Sequence, residues 1–167
     1  DQPAQPLGSL TYREVGELAA AQAAALDELG IGFGERVAIV SPNAGRLLVA
    51  LFGVSGWGRV LVPVNFRLNA DEVSYIVEHS GATALLVDPE LDDHLRGVDA
   101  KHRFVLGADS DEILYRRGVE PRPWQPDEDA TATINYTSGT TARPKGVQLT
   151  HRNVWLNAAV FGWHLGV

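Results

Sequence analysis

The sequence contains no cysteine among its 167 residues. Disulfide staples, cysteine-ligated zinc, iron–sulfur clusters and a thiol nucleophile are thereby excluded. Methionine is also absent and the chain opens Asp1-Gln2-Pro3, so a segment of a longer protein is expected. The apolar run from Phe161 to Val167 supports the same expectation, because no terminator that would close a helix is read in it. Basic residues are in deficit: 14 Lys and Arg against 21 Asp and Glu give a formal net charge of −7. That balance opposes nonspecific attraction to nucleic acid or to an anionic bilayer. No stretch of about 18 uncharged apolar residues occurs. Nor does a basic flank with an apolar core precede Leu10, so neither a membrane span nor a signal peptide is predicted and the cytoplasm is the expected location.

What is present is ordinary for a folded chain: 45% hydrophobic and 21% charged residues lie in the globular range. Thr11 and Glu14 form a capping box, with Leu10 and Val15 as a hydrophobic staple, and start a helix. Its apolar stripe, Val15, Leu18, Ala19, Gln22, Leu26 and Leu29, should face a sheet until Gly30 ends it as a left-handed cap. Strands are predicted at Arg36 to Val40, Val60 to Val64 and Ala82 to Val87, with a short fourth at Phe104 to Leu106. Pro63 marks an end or edge of the second strand. Between them lie an almost wholly apolar helix, Asn43 to Trp57, which expects cover on more than one side, and a helix capped by Asn69 with Glu72 that runs to His79. Such alternation predicts an α/β fold with a mostly parallel sheet flanked by helices.

Three stretches follow from this pattern. Residues 1–87 form an α/β unit, and 88–130 are read as a peripheral excursion and linker, with a short helix at Ile113-Leu114-Tyr115 and a Pro-punctuated connector from Val119 to Pro126. Residues 131–167 return to order as a strand, a polar loop, a short strand at Val147 to Leu149 and a helix capped by Thr150.

The loop carries the chemistry. Tyr136 to Val147 packs four Ser/Thr hydroxyls, two glycines and two cations between two strands, with no acidic residue. Hydroxyls and backbone N–H groups donate to phosphate oxygens, Gly permits close approach and Lys supplies a compact charge, so the composition suits a polyphosphate. It is not the common P-loop, because Pro144 follows Gly139 by five residues and the Gly-Lys-Ser/Thr ending is missing. A polar surface turn is the plain alternative.

This string resembles the phosphate-binding signature of the adenylate-forming, or AMP-binding, superfamily, which includes acyl-CoA synthetases, peptide-synthetase adenylation domains and firefly-type luciferases. Leu10 to Val15 resembles the family's first signature and Gly58 to Asn65 its second, in the same order along the chain. The resemblance implies the N-terminal part of the large domain of a carboxylate-CoA ligase. A fatty or aryl carboxylate would attack the α-phosphate of ATP, giving an acyl-adenylate and pyrophosphate, and the thiol of coenzyme A would then displace AMP. By position, Thr137, Ser138, Gly139, Thr140, Thr141 and Lys145 would surround the β- and γ-phosphates, with Thr137 a ligand of Mg²⁺. Ala142 departs from the Gly of many members. The catalytic Lys, the adenine pocket and most of the acyl pocket would lie beyond Val167, so no catalytic residue is assigned here and the segment alone is expected to be inactive. Two other readings stay open: an adenylation domain that loads a carrier protein, and a non-catalytic nucleotide-binding module. A homo-oligomer remains open among the partners, and self-association of the isolated segment is expected.

Other residues are weighed outside this site. Gly30, Gly32 and Gly34 read as a turn, since they precede a strand. His151, with Arg152 and Asn153, opens the last helix beside the loop in sequence and is left outside the site. His79, His94, His102 and His164 read as solvated or packing residues. Asp92-Asp93 and Asp127-Glu128-Asp129 read as solvated acidic faces. Trp155, Phe161 and Trp163 read as core in preference to an acyl pocket.

Overall fold

The structure, a computed structural model, describes residues 5–137 and 143–166. Helix α1 (Tyr12–Glu28) starts where the local chemistry dictates: the Thr11 N–H donates to the Glu14 carboxylate at 2.7 Å, and the Glu14 N–H returns a bond to the Thr11 hydroxyl. Gly30, at φ 73°, turns the chain out of the helix and toward β1 (Arg36–Val40). Then come α2 (Gly45–Ser55), β2 (Val60–Val64), α3 (Ala70–Ser80), β3 (Ala82–Val87), β4 (His102–Val105) and α4 (Ala108–Leu114). The chain closes with β5 (Thr131–Thr137), β6 (Lys145–Thr150) and α5 (His151–Leu165). Reciprocal bonds of 3.0 Å between Asn69 and Glu72 cap α3, and Thr150 with Asn153 caps α5.

The six strands form one sheet in the order β4-β3-β1-β2-β5-β6. Every registered pair is parallel except β5 with β6, so the sheet is mostly parallel, as the alternation of elements predicts. Side chains alternate across it with the strand period of two. Val37, Ile39, Leu61, Ala84 and Leu86 join α1 and α2 in one core, while Ala38, Val40, Val62, Leu85 and Val87 pack beneath α3. The helix pair α1 and α2 comes together at Gly53, where a Cβ would sit 3.0 Å from the Ala19 carbonyl oxygen.

Several expectations need correction. Residues 88–130 are not merely peripheral: they supply β4, and Leu95, Val98, Leu106 and Leu114 are buried in the two cores. β4 begins two residues before the expected Phe104, because its pairing with β3 sets the register from His102 opposite Ala84. Helix α2 starts at Gly45, not Asn43, and leaves Leu48, Leu51 and Phe52 exposed. Pro63 sits inside a strand with a neighbour on either side, opposite Ile39 of β1, while toward β5 the only registered residue of β2 is Leu61. Gly166 does close the last helix, in the left-handed conformation at φ 69°. Trp155, Phe161 and Trp163 are exposed, and none of the α5 residues described is buried, because that helix packs on β5 and β6 and on the connector only at its first turn.

One buried charge ties distant segments together. Arg59, fully buried at the start of β2, donates through Nε and Nη2 to the Ile31 carbonyl at 3.0 and 2.8 Å and pairs with Asp27 at the end of α1. Asp27 also accepts the Arg122 guanidinium and backbone N–H, each at 2.7 Å, which anchors the Pro-rich connector. Burial works to raise the Asp27 pKa, but the bonds from Arg122 and Arg59 outweigh it and hold the carboxyl below its ordinary value of 3.8. A carboxyl held low in the folded state contributes stability above pH 3.8 that is lost as the pH falls through its folded value. Replacing Asp27 with Ala leaves a buried guanidinium without its carboxylate, and urea denaturation at pH 7 should register a loss of about 3 kcal/mol. That penalty should shrink as the pH is taken below 3.8.

Candidate active site

Strand β5 enters the sheet parallel to β2 and delivers its last residue, Thr137, at the carboxyl edge, where open α/β sheets bind their ligands. β6 then returns antiparallel, so Thr137 stands opposite Lys145, Tyr136 opposite Gly146 and Asn135 opposite Val147. Directly opposed residues share one face with Cβ atoms about 5 Å apart. The hairpin therefore brings a hydroxyl and an ammonium group together, both exposed, at the two stems of the loop. No carboxylate among the described residues pairs with Lys145. Of the predicted site residues the structure brings Thr137 and Lys145 together; Ser138, Gly139, Thr140 and Thr141 lie outside the described residues.

The stems rest on α3. Tyr136 shares the face of Ile134 and packs with the α3 core. Its ring lies across β6 because position 146 is glycine: a Cβ there would sit 2.9 Å from Ile134 Cγ2 and 3.1 Å from Tyr136 Cζ. The Tyr136 hydroxyl is 2.8 Å from His79 Nδ1, and Tyr75, one turn earlier on α3, stacks on His79 with ring centroids 5.2 Å apart. Burial, and then the neighbouring Tyr75, raise the Tyr136 phenol above its ordinary value of 10, so it stays protonated at neutral pH and keeps its hydrogen bond to Nδ1. Sequence reasoning assigned His79 a solvated or packing role and missed this link. The i, i+4 spacing of Tyr75 and His79 was the available signal, but it means little until the strand order places β5 over α3.

His151 is the clearest displacement. Six residues after Lys145 in sequence, it is carried by β6 to the opposite edge of the sheet, about 20 Å away at ~3.4 Å per residue. There its ring lies 5.3 Å from Trp124, and burial lowers its pKa against the opposing charge of Asp127. Arg152 pairs with Glu128 and Asp129, so the acidic run is held by a guanidinium. A crevice of 640 Å³ is lined by Arg36, Gly58, Trp124, Asp127 and Thr131, with His79 and Tyr136 on its wall. It runs from the starts of β1, β2 and β5 along the hairpin as far as Tyr136 and Gly146, and neither Thr137 nor Lys145 lines it. A ligand at the strands' carboxyl ends would sit elsewhere.

Known proteins share this fold. The family model for AMP-binding enzymes matches residues 4–166. The acetate/butyrate–CoA ligase AAE7 of Arabidopsis thaliana is 34% identical over 89% of this chain and 31% of its own length. A long-chain-fatty-acid–CoA ligase of Thermus thermophilus is 37% identical over 89% of this chain and 29% of its own. The chain thus spans about a third of the curated relatives it matches. In three dimensions it superposes on an anthranilate CoA ligase, AuaEII, solved with anthranoyl-AMP, at a TM-score of 0.85 and 26% identity over 96% of this chain and 33% of that one. ATP-bound MatB from Rhodopseudomonas palustris gives 0.79 and 27% over 92% and 32%.

The packing of Tyr136 over Gly146 makes a direct prediction. Gly146→Val overfills the hairpin and should cost about 1 to 3 kcal/mol in chemical denaturation. Unchanged stability would contradict the ring placement.

Proposed function

The chain belongs to the AMP-binding enzyme family, and from that premise we propose that it is the N-terminal part of an ATP-dependent carboxylate–CoA ligase. The observation that carries the reading is the pairing of Thr137 with Lys145 across the stems of a Ser/Thr/Gly loop at the carboxyl edge of the sheet. Fatty or aryl acids are the proposed substrates. The acid's oxygen attacks the α-phosphorus of ATP and pyrophosphate departs; the sulfur of coenzyme A then attacks the acyl carbon and AMP departs.

In the first step negative charge grows on the leaving pyrophosphate. Lys145 and the Thr137 hydroxyl, with the donors of residues 138–141, stabilise that charge where it develops, and their role is electrostatic. The residues present also fit Mg²⁺ carried by the nucleotide. Magnesium keeps most of its ligands as water and phosphate oxygen, so the exposed Thr137 hydroxyl suffices as a protein contact. Among the described residues no group of three or more His, Asp and Glu side chains could cage the ion without phosphate. When bound, it would neutralise phosphate charge. No helix among the described residues is long and apolar enough to cross a membrane.

Acid-dependent exchange of labelled pyrophosphate into ATP by the complete protein tests the reaction class, and failure with every acid tried would refute it. In the same protein Lys145→Ala should lower acyl-adenylate formation about ten- to a thousandfold, the loss of one charge-stabilising donor. Thioester formation from a supplied acyl-adenylate and coenzyme A should be much less affected, because pyrophosphate has already left. Equal losses in both half-reactions would contradict the assignment of the loop to pyrophosphate.

A further inference from the structure

We infer that Tyr75 and His79 of α3 are positioning residues for the phosphate loop, holding both of its stems; the inference rests on the proposed ligase reading. On the entering stem, His79 Nδ1 is hydrogen-bonded to the Tyr136 hydroxyl at 2.8 Å, and the two rings meet edge to face with centroids 5.8 Å apart. On the leaving stem, the Arg143 guanidinium lies 5.3 Å above the Tyr75 ring, and the Tyr75 hydroxyl faces the Pro144 carbonyl oxygen at 3.5 Å. Tyr75 and His79 stack on one another, so the contacts to the two stems form one unit.

The geometry has a reason. β6 is the edge strand, paired to β5 alone, and Lys145 to Gln148 are exposed. The ends of β5 and β6 therefore need support from outside the sheet to hold Thr137 and Lys145 in a fixed relation. α3 supplies it from a part of the chain 57 residues away. His79 is exposed, so its bond to Tyr136 adds little to the core and is placed to govern the loop more than the fold. Stems fixed in advance spend less ordering entropy when a triphosphate binds at Thr137 and Lys145.

The test uses His79→Ala, His79→Gln and Tyr136→Phe in the complete protein. In acid-dependent pyrophosphate exchange, His79→Ala should raise the apparent KM for ATP about three- to tenfold, the size of one neutral hydrogen bond. The KM for the acid and the rate from supplied acyl-adenylate to thioester should stay unchanged. His79→Gln should recover most of the loss, and the His79→Ala, Tyr136→Phe double variant should be no worse than His79→Ala alone, because both remove one interaction. Without nucleotide, hydrogen exchange at β5 and β6 amides should run about three- to tenfold faster in His79→Ala than in the parent. Parental KM and parental exchange in His79→Ala would overturn the inference, as would equal slowing of both half-reactions or additive effects in the double variant. A parent protein without acid-dependent exchange would refute the ligase reading instead. The amide-exchange comparison would then decide the clamp on its own.

Discussion

The reversal of chain direction between β5 and β6 is the constraint on which the site depends. Five strands run parallel, and the sixth turns back on the edge, so the two ends of one loop are joined by backbone pairing and Thr137 faces Lys145. A parallel connection would have carried Lys145 to the far edge of the sheet, because parallel strands need a crossover. The turn-back sets Lys145 directly opposite Thr137 before any ligand arrives. Glycine at 146 is part of the same device, since it admits the Tyr136 ring that links the hairpin to α3.

A second set of interactions holds the platform beneath the hairpin. Arg59 and Asp27 join the start of β2 to the end of α1, and Arg122 brings in the connector that leads to β5. Both guanidinium groups also lie over the Phe33 ring, at 5.4 and 5.0 Å. Downstream, Trp124 packs on Gly58, whose φ of 76° and missing side chain leave room for the indole. The connector that looked like a linker is thus moored along its length, and it sets where β5 begins.

The sequence made local features legible and left the nonlocal ones hidden. The capping boxes at Thr11 and Asn69 read correctly because each involves groups three residues apart. The strands β1, β2 and β3 read correctly because buried parallel strands are continuous apolar runs. β4, four residues of intermediate and exposed character, was placed two residues late because its bounds come from pairing with β3. His151 looked adjacent to the loop because sequence distance does not reveal which way a strand points. Trp155, Phe161 and Trp163 looked like core because aromatic residues usually are, yet α5 packs on β5 and β6 and meets the connector only through its first turn, at His151 and Arg152. Thr137 and Lys145 were legible as a composition, whereas Tyr75 and His79, which contact the neighbouring Tyr136, Arg143 and Pro144, became visible only once the strand order placed α3 under the hairpin.

The central claim is spatial: the triphosphate of ATP lies at the stems of the β5–β6 hairpin. A crystal structure of the complete protein with Mg-ATP and an unreactive acid analogue tests it most directly. The account predicts β- and γ-phosphate oxygens within hydrogen-bonding reach, about 3 Å, of the Thr137 hydroxyl and Lys145 Nζ. A triphosphate bound elsewhere, for example in the crevice lined by Arg36, Trp124 and Asp127, with Thr137 and Lys145 left facing solvent, would contradict it.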